Sequence, residues 1–375
     1  MSVRKRTWTN AKGESKEAWI VDTFDKDGIR HIQTFATKGE ADDHAAKTRI
    51  NVKRGMHTAP SKSVTVAEAC DKWLKRGEAD GLERSTIDQY RQHSQLHIIP
   101  RLGKIKLAKL TDEKVESFRE DLLANLSRPL ARKVMVSFRQ MLKANKYNHI
   151  AAGVTIKMPK RDKRKLESGR DLPTPAEVRR MVVAAKDTRT RALLLLAALT
   201  GLRSSELRGL RWADVDMRHL ELHVRQRADK YYEIGEPKSD TSRRIIPIDQ
   251  DTLLPALKEW KLACPKGEAD LVFPANDGGP VHHEIMSRLL DAVMIEAGVV
   301  DKAGEPKYSP HAFRHFFASW CINPKERGGR ELPPKAAQTL LGHSSITMTL
   351  DLYGHMFPKG DDRAELAKSV SALLG

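Results

Sequence analysis

The sequence predicts a mainly α-helical chain with small β elements, divided into several domains, and three observations carry that expectation. Its 375 residues exceed a single ordinary domain of about 150. Apolar residues recur at helical spacing over most of the length, as in Val66, Ala69, Cys70, Trp73 and Leu74. Runs rich in β-branched and aromatic residues are confined to the N-terminal region and to two short stretches further on. Hydrophobic residues make up 40% and charged residues 31%, enough apolar material for ordinary cores.

The elements follow in order. Residues 19–24 and 29–35 are β-prone and joined by Asp25-Lys-Asp-Gly28, a hairpin turn signal. Residues 3–9, closed by Asn10-Ala-Lys-Gly13, supply a third strand, and residues 39–53 a polar helix stopped at Gly55. This first module, residues 1–60, reads as a stabilising cap or, through the basic residues on its first strand, as a DNA-binding unit. A break at Ala59-Pro-Ser-Lys-Ser63 opens a domain of four to five helices over residues 63–159. There Ser85 is expected to cap a helix over 86–97 that Pro100 stops. Val115, Phe118, Leu122 and Leu123 mark another helix, and Val136, Phe138 and Leu142 one over 132–146. Residues 157–170 carry seven basic and two acidic side chains, so 160–170 reads as a basic linker able to lie along a phosphate backbone. Two halves joined in this way could close around a duplex like a clamp. The last domain, residues 171–375, shows helical patterns at 176–185, 189–199, 252–262, 282–296, 311–321, 334–341 and 365–374. Residues 220–224 and 243–248 are expected to pair as one antiparallel hairpin with its tip near Lys238.

Charge and composition narrow the function. Lys plus Arg number 66 against 49 for Asp plus Glu, a formal charge of +17, which points to a polyanionic partner such as nucleic acid. The longest uninterrupted apolar run, residues 192–199, is too short to span a bilayer, and no apolar stretch follows the basic Arg4-Lys-Arg6 opening. The expectation is therefore a cytoplasmic protein without a signal peptide or membrane partner. Cys70, Cys264 and Cys321 are scattered and odd in number, which argues against a disulfide framework or a zinc ribbon.

Four short segments of the last domain pair polar residues with an apolar scaffold. Thr200-Gly-Leu-Arg-Ser-Ser-Glu206 puts Arg203 and Glu206 three apart, on one face of a helix after a glycine turn. Ser309-Pro-His-Ala-Phe-Arg-His315 opens a helix with His311 in its first turn and Arg314 one turn later. Leu340-Leu-Gly-His-Ser-Ser345 places His343 at a helix end, and Tyr353 follows in Leu350-Asp-Leu-Tyr353. His311 and His315 are four apart, but the carboxylates and cysteines that complete a zinc site are missing, so no metal is expected. No phosphate loop and no nucleophile elbow occur, which argues against ATP hydrolysis and serine catalysis. Two arginines, two histidines and a tyrosine do fit metal-free phosphoryl transfer. Guanidinium groups clamp phosphate oxygens in the place of metal ions, and a phenol serves as nucleophile.

On these motifs, in this order and at these spacings, the chain resembles the tyrosine recombinases, specifically phage-type integrases. His97-Ile-Ile-Pro-Arg-Leu-Gly103, followed by Leu110-Thr-Asp112 and a helix, is similar to the family's core-DNA-binding domain, and the N-terminal sheet resembles arm-site-binding domains. The resemblance implies that Arg203 and Arg314 hold the scissile phosphate, that His311 and His343 donate to it or manage protons, and that Tyr353 attacks. The product is a 3′-phosphotyrosyl link with release of a 5′-hydroxyl. Glu206 would orient a neighbouring side chain. The family places a lysine at a β-hairpin tip as general acid, and Glu236-Pro-Lys238 makes Lys238 the candidate, with Lys230 earlier in the same connection.

The implied activity is site-specific recombination without ATP, metal or other cofactor, integrating and excising a phage or mobile element. Implied partners are double-stranded DNA attachment sites, further copies of the chain in a tetramer on DNA, and a directionality factor or DNA-bending host protein. A bacterial cytoplasmic location follows, on the nucleoid when bound. A chromosome-dimer-resolving recombinase shares the chemistry, but those proteins generally lack an N-terminal module like residues 1–60. A type IB topoisomerase is mechanistically close and lacks the integrase-like spacing. A non-enzymatic regulator with a helix-turn-helix over 199–212 leaves His311, Arg314, His343 and Tyr353 without a purpose. The stripe of Leu366, Val370, Leu373 and Leu374 marks a terminal helix expected to pack on its own domain or on a neighbouring protomer.

Overall fold

A computed structural model of the chain describes residues 2–9, 13, 15–24, 30–53, 63–159, 165–237 and 239–357. The expected turns at 10–12 and 25–28, the helix stop at Gly55, the break at 59–62, much of the basic linker, Lys238 and the helix over 365–374 lie outside the described residues. The chain divides into two compact units, Met1–Arg161 and Asp162–Gly375.

In the first unit, β1 (Ser2–Thr9), β2 (Ser15–Phe24) and β3 (Arg30–Phe35) form an antiparallel meander in that order. Helix α1 (Lys38–Lys53) packs on it through Ala41 and Ala45 against Val21, with Val3, Trp19 and Phe35 at the margin. Two of the first strand's basic residues face acids across the ladder: Lys5 lies 2.8 Å from Glu17, and Arg4 lies 3.8 Å from Asp22, which Arg30 also grips.

The helical bundle of this unit has its own core. Helix α2 (Val66–Ala79) starts at a capping box in which the Thr65 amide donates to Glu68 and the Glu68 amide to the Thr65 hydroxyl. Helix α3 (Arg84–His93) begins at Glu83, not Ser85, and is not stopped by Pro100. A π-turn over Ser94–Ile98 leads straight into α4 (Ile99–Leu102). The Ile99 amide reaches back five residues to the Ser94 carbonyl, and the widened turn accepts a proline that has no N–H to offer. Helices α5 (Asp112–Asn125) and α6 (Arg128–Ala144) complete the bundle, with Phe118 edge-on to Phe138 at 5.2 Å between ring centres. Val136, expected on the apolar face of α6, points outward; Ala131, Val134, Met135, Phe138, Met141 and Leu142 are the buried apolar set.

The second unit is built around α8 (Thr188–Thr200), which is apolar on all sides because α7 (Pro175–Ala184), α10 (Leu253–Ala263) and α12 (Pro310–Ile322) enclose it. Helix α9 (Ser204–Gly209) follows directly. The expected antiparallel pairing of 220–224 with 243–248 is present, but the region forms two small sheets and not one simple hairpin. One has β5 (Glu221–Val224) between β4 (Val215–Asp216) and β8 (Arg244–Pro247), with Leu222 opposite Ile246. The other is a ribbon of β6 (Arg227–Ala228) and β7 (Ile234–Gly235), inserted between β5 and β8. The polar, glycine-containing connection is long enough to fold back on itself, which periodicity over four-residue strands does not reveal. Helices α11 (His283–Glu296), α13 (Pro334–Leu341) and α14 (Ile346–Tyr353) finish the described chain. Glu177 of α7 anchors the entry to α12, accepting from Lys307 at 2.7 Å and from the Tyr308 hydroxyl at 2.9 Å.

Candidate active site

Helix α8 ends at Gly201 with φ +61°, and a Cβ at this position would lie 2.4 Å from Phe317 of α12. Glycine is therefore required both for the left-handed turn and for the approach of α12. Arg203 sits two residues on, at the cap of α9. Its amide and its Nη1 donate to the two oxygens of Glu206, each at 2.8 Å, and its Nη2 donates to the Gly342 carbonyl at 2.7 Å. The side chain remains 32% exposed.

Arg314, on α12, is 3% exposed and donates from Nη1 to the Gly201 carbonyl and from Nη2 to the Leu341 carbonyl, both at 2.5 Å. Burial pushes the guanidinium down to about 9, with Arg203 and Arg244 adding to the shift. Its hydrogen-bond partners are neutral oxygens, so its charge is left available to an anion. Glu206 is as deeply buried. Burial opposes its ionisation, yet Arg244 and Arg203 outweigh that and hold the carboxyl at about 2.

Arg244 was not anticipated as a site residue. Its Nη1 and Nη2 donate to Glu206 at 3.1 and 2.9 Å, and its Nε to the Leu340 carbonyl at 2.7 Å. The available signal is strand alternation, since β8 buries Arg244 and Ile246 and exposes Ile245. An arginine facing inward must find acceptors there, and for Arg244 the Glu206 carboxylate is the main one. The last carbonyls of α13 thus receive three guanidiniums in succession: Leu340 from Arg244, Leu341 from Arg314 and Gly342 from Arg203. These oxygens sit at the negative end of the helix, where a cation is favoured. Gly342 has φ +61°, and a Cβ there would lie 2.9 Å from Arg244 Nη1.

The turn beyond Gly342 carries His343, which is buried, with Nδ1 2.9 Å from the Thr349 hydroxyl and its carbonyl accepting from Gln338. Burial, then Arg314, Arg203 and Arg244, push its imidazole down to about 4. His311 opens α12 with its ring at the surface; loss of surrounding water, then Arg314 and Arg203, lower it. Tyr353, at the end of α14, is 1% exposed and packs among Phe317, Ala318, Cys321 and Leu341. Burial raises its phenol well above the ordinary value, against the pull of Arg314. The Tyr353 hydroxyl lies 2.5 Å from Nδ1 of His315, whose ring meets that of His311 edge-on at 4.6 Å. His315, weighed in the sequence only as a metal ligand, is in contact with the expected nucleophile.

The structure therefore gathers Arg203, Arg314, Glu206 and His343 at the α13 terminus and links Tyr353 to the start of α12 through His315. Lys238 is not described, but its neighbours Pro237 and Ser239 line a cleft of about 310 Å³ with Arg203, Glu206 and Gly342. Lys230 lies over the Tyr231 ring at 4.7 Å. Among the described residues no group of three or more His, Cys, Asp or Glu side chains is arranged to hold a metal ion. Nor is any described helix long and apolar enough to cross a membrane.

Comparison with known proteins identifies the family. The model of the phage integrase family matches residues 173–359, and that of the phage integrase N-terminal SAM-like domain matches residues 65–123. A XerC-like tyrosine recombinase of Caldanaerobacter subterraneus is 33% identical over 226 residues, a match spanning 55% of this chain and 56% of the relative. The ICEBs1 integrase of Bacillus subtilis is 24% identical over the whole of both chains. Among solved structures, a lambda integrase tetramer bound to a Holliday junction has the same fold, at 18% identity and TM-score 0.55, covering 91% of this chain and 96% of that one. The chain belongs to the phage integrase family. It is a tyrosine-type site-specific recombinase, an enzyme of DNA strand breakage and rejoining.

Proposed function

We propose that the chain is the integrase of a phage or other mobile element, and that its chemistry runs through Arg203, Arg314, His311, His343 and Tyr353. The observation that carries this reading is the pair of arginines aimed by main-chain oxygens near His343 and Tyr353, Arg203 sharing its charge with Glu206 and Arg314 hydrogen-bonded to neutral oxygens alone. Arg203 and Arg314 grip the non-bridging oxygens of the scissile phosphate with the N–H groups those carbonyls leave over. His311 and His343 donate to the same oxygens or handle protons. Glu206 positions Arg203. The Tyr353 oxygen attacks phosphorus, the bond to the 5′-oxygen breaks, and a 3′-phosphotyrosyl ester keeps the bond energy for rejoining. Lys238, or Lys230, supplies the proton that the departing 5′-oxygen takes up.

The full-length likeness to an integrase of a mobile element supports this assignment over chromosome-dimer resolution. In the same reading, residues 1–60 bind arm sites, 63–159 the core site, 160–170 form a basic linker and 171–375 the catalytic domain. The partners are double-stranded attachment sites, three further copies of the chain on paired sites, and a directionality factor or DNA-bending host protein. The setting is the bacterial cytoplasm, on the nucleoid. Because the arginines take the place of metal ions, no cofactor is required.

A suicide substrate nicked near the cleavage position tests the centre of this reading. It should trap a covalent protein–DNA adduct in the presence of EDTA and without nucleotide. Tyr353→Phe should abolish the adduct and leave DNA binding intact. An adduct mapped to another tyrosine, or cleavage that stops in EDTA, would overturn the assignment. Substituting sulfur for the 5′-leaving oxygen should rescue Lys238→Ala, since a thiolate needs no general acid; rescue of Lys230→Ala instead would move that role.

A further inference from the structure

We propose that His315 is a catalytic residue of the strand-transfer step, accepting the Tyr353 proton at Nδ1 as the phenolic oxygen attacks phosphorus. The inference rests on the reading of Tyr353 as nucleophile and adds the group that activates it. Its first support is geometric. The Tyr353 hydroxyl and His315 Nδ1 are 2.5 Å apart, within the reach a nucleophile and its base must have. The other two histidines of the site are differently engaged: His343 Nδ1 meets the Thr349 hydroxyl, and the His311 ring meets His315 rather than the phenol.

The direction of the hydrogen bond follows from the surroundings. Burial keeps the phenol protonated, so its O–H is the donor. Burial, then His311 and Arg314, hold His315 at about 4, against an opposing pull from the Asp171 carboxylate. The imidazole is thus neutral near pH 7 and has a lone pair to offer at Nδ1. Asp171 belongs to the segment entering α7 and acts on His315 from outside α12. A nucleophile in hydrogen-bond contact with a neutral imidazole is the core of an activated hydroxyl. Arg314, adjacent to His315 in the chain, also acts on Tyr353, so the phosphate-binding cation and the base both bear on the phenol.

Protons balance in both directions. On cleavage the phenolic oxygen forms the bond to phosphorus, its proton passes to His315 Nδ1, and the bond to the 5′-oxygen breaks as that oxygen takes a proton from the general acid. On rejoining, a 5′-hydroxyl attacks and gives its proton back to the deprotonated general acid, the phosphotyrosyl bond breaks, and His315 returns its proton to the phenolate. The arriving phosphate, being negative, favours protonated imidazole and so strengthens the base when DNA is in place.

The test uses the full-length chain on the nicked suicide substrate, with melting temperature and single-site DNA binding recorded for each variant. His315→Gln keeps an acceptor for the phenol but takes up no proton. Adduct formation should fall roughly 100-fold, the scale expected for a lost general base. Replacing Tyr353 by a more acidic fluorinated tyrosine should recover most of that loss. A rate at or above that of the unchanged enzyme would mean that His315 merely parks the hydroxyl, and an undiminished defect with fluorotyrosine would mean that it only positions it; either result overturns the proposal. Should His315→Gln fail to fold, His315→Asn is read in the same way. The unchanged enzyme gives an independent readout. Its adduct rate should fall on acidification as one group, set by His311, Arg314, Asp171, His343 and Tyr353 around it, takes up a proton; a flat profile counts against the proposal. Tyr353→Phe runs as the control. If that variant still forms adduct, the nucleophile assignment itself fails, whereas an inactive Tyr353→Phe beside a fully active His315→Gln removes only the role of His315.

Discussion

Glu206 accepts from the amide and Nη1 of the half-buried Arg203 and from two nitrogens of Arg244, with Glu206 and Arg244 themselves buried. Removing one partner of such a cluster is costlier than never having built it. Arg244→Met should therefore destabilise the chain by about 3 kcal/mol, since Glu206 keeps a buried charge with half its donors. Denaturant unfolding monitored by circular dichroism reads this directly. The same variant should lose adduct formation disproportionately, because the Leu340–Gly342 turn also loses one of its three cations. At this scale motifs singled out Arg203, Arg314, His311, His343 and Tyr353 as candidates, the first four beside a glycine turn or helix start visible in the chain. Arg244 and His315 were not legible as site residues. Each draws its place from a partner 38 residues away, Glu206 for the one and Tyr353 for the other. No local spacing encodes a contact at that separation.

Among the elements, the C-terminus of α13 matters most to the site. Gly342→Ala would place a methyl 2.9 Å from Arg244 in a backbone conformation that L-residues rarely adopt. The expected outcome is a folded protein, less stable by about 1–2 kcal/mol, whose adduct formation falls far more than its melting temperature suggests. The neutral histidines on α12 and beyond α13 set a pH dependence as well. His315 and His343 are held at about 4 against 6.5 for the ordinary imidazole, so the unfolded chain takes up their protons first as pH falls. Stability should decline as pH drops from about 6.5 towards 4. Glu206, at about 2 against 4.5, adds its own loss only below about pH 4.5. Melting temperatures measured from pH 7 to 5 read the histidines, and substituting both by Gln should reduce the slope, leaving the part contributed by His93, His97 and His311, which burial also lowers. Helix types and most centres were readable from apolar spacing, as for α8 and α13. The passage of α3 through Pro100 and the folding back of the β5–β8 connection were not, because both depend on backbone hydrogen bonds that side-chain periodicity does not report.

For the whole molecule, a formal charge of +17 makes phosphate neutralisation the main sequence-independent term in DNA binding. Affinity for a single site should fall by roughly a thousandfold or more between 50 and 200 mM salt if at least about six phosphates are contacted. A shift titration at several salt concentrations gives the slope, and a shallow one would mean that much of the charge faces away from DNA. The terminal stripe of Leu366, Val370, Leu373 and Leu374 bears on assembly. Truncation after Phe357 should preserve single-site binding and weaken synapsis of paired sites, as measured by light scattering and recombination. Normal recombination by the truncated chain would make the tail dispensable. The class, mainly helical behind an N-terminal sheet, was legible because helical and strand patterns occupy separate lengths of chain.

Three of the arginine hydrogen bonds end on main-chain oxygens at positions 340, 341 and 342. An oxygen of that kind is supplied by every amino acid, so what these positions must conserve is a path for the backbone and not a functional group. Leu341 is constrained by its burial and Gly342 by its dihedral angle, while Leu340 is only partly buried. A saturation scan scored by recombination should accordingly tolerate many residues at 340, a few apolar ones at 341 and almost none at 342. Lineages carrying this site can vary the lettering of the turn and still present the same three oxygens to the same three guanidiniums.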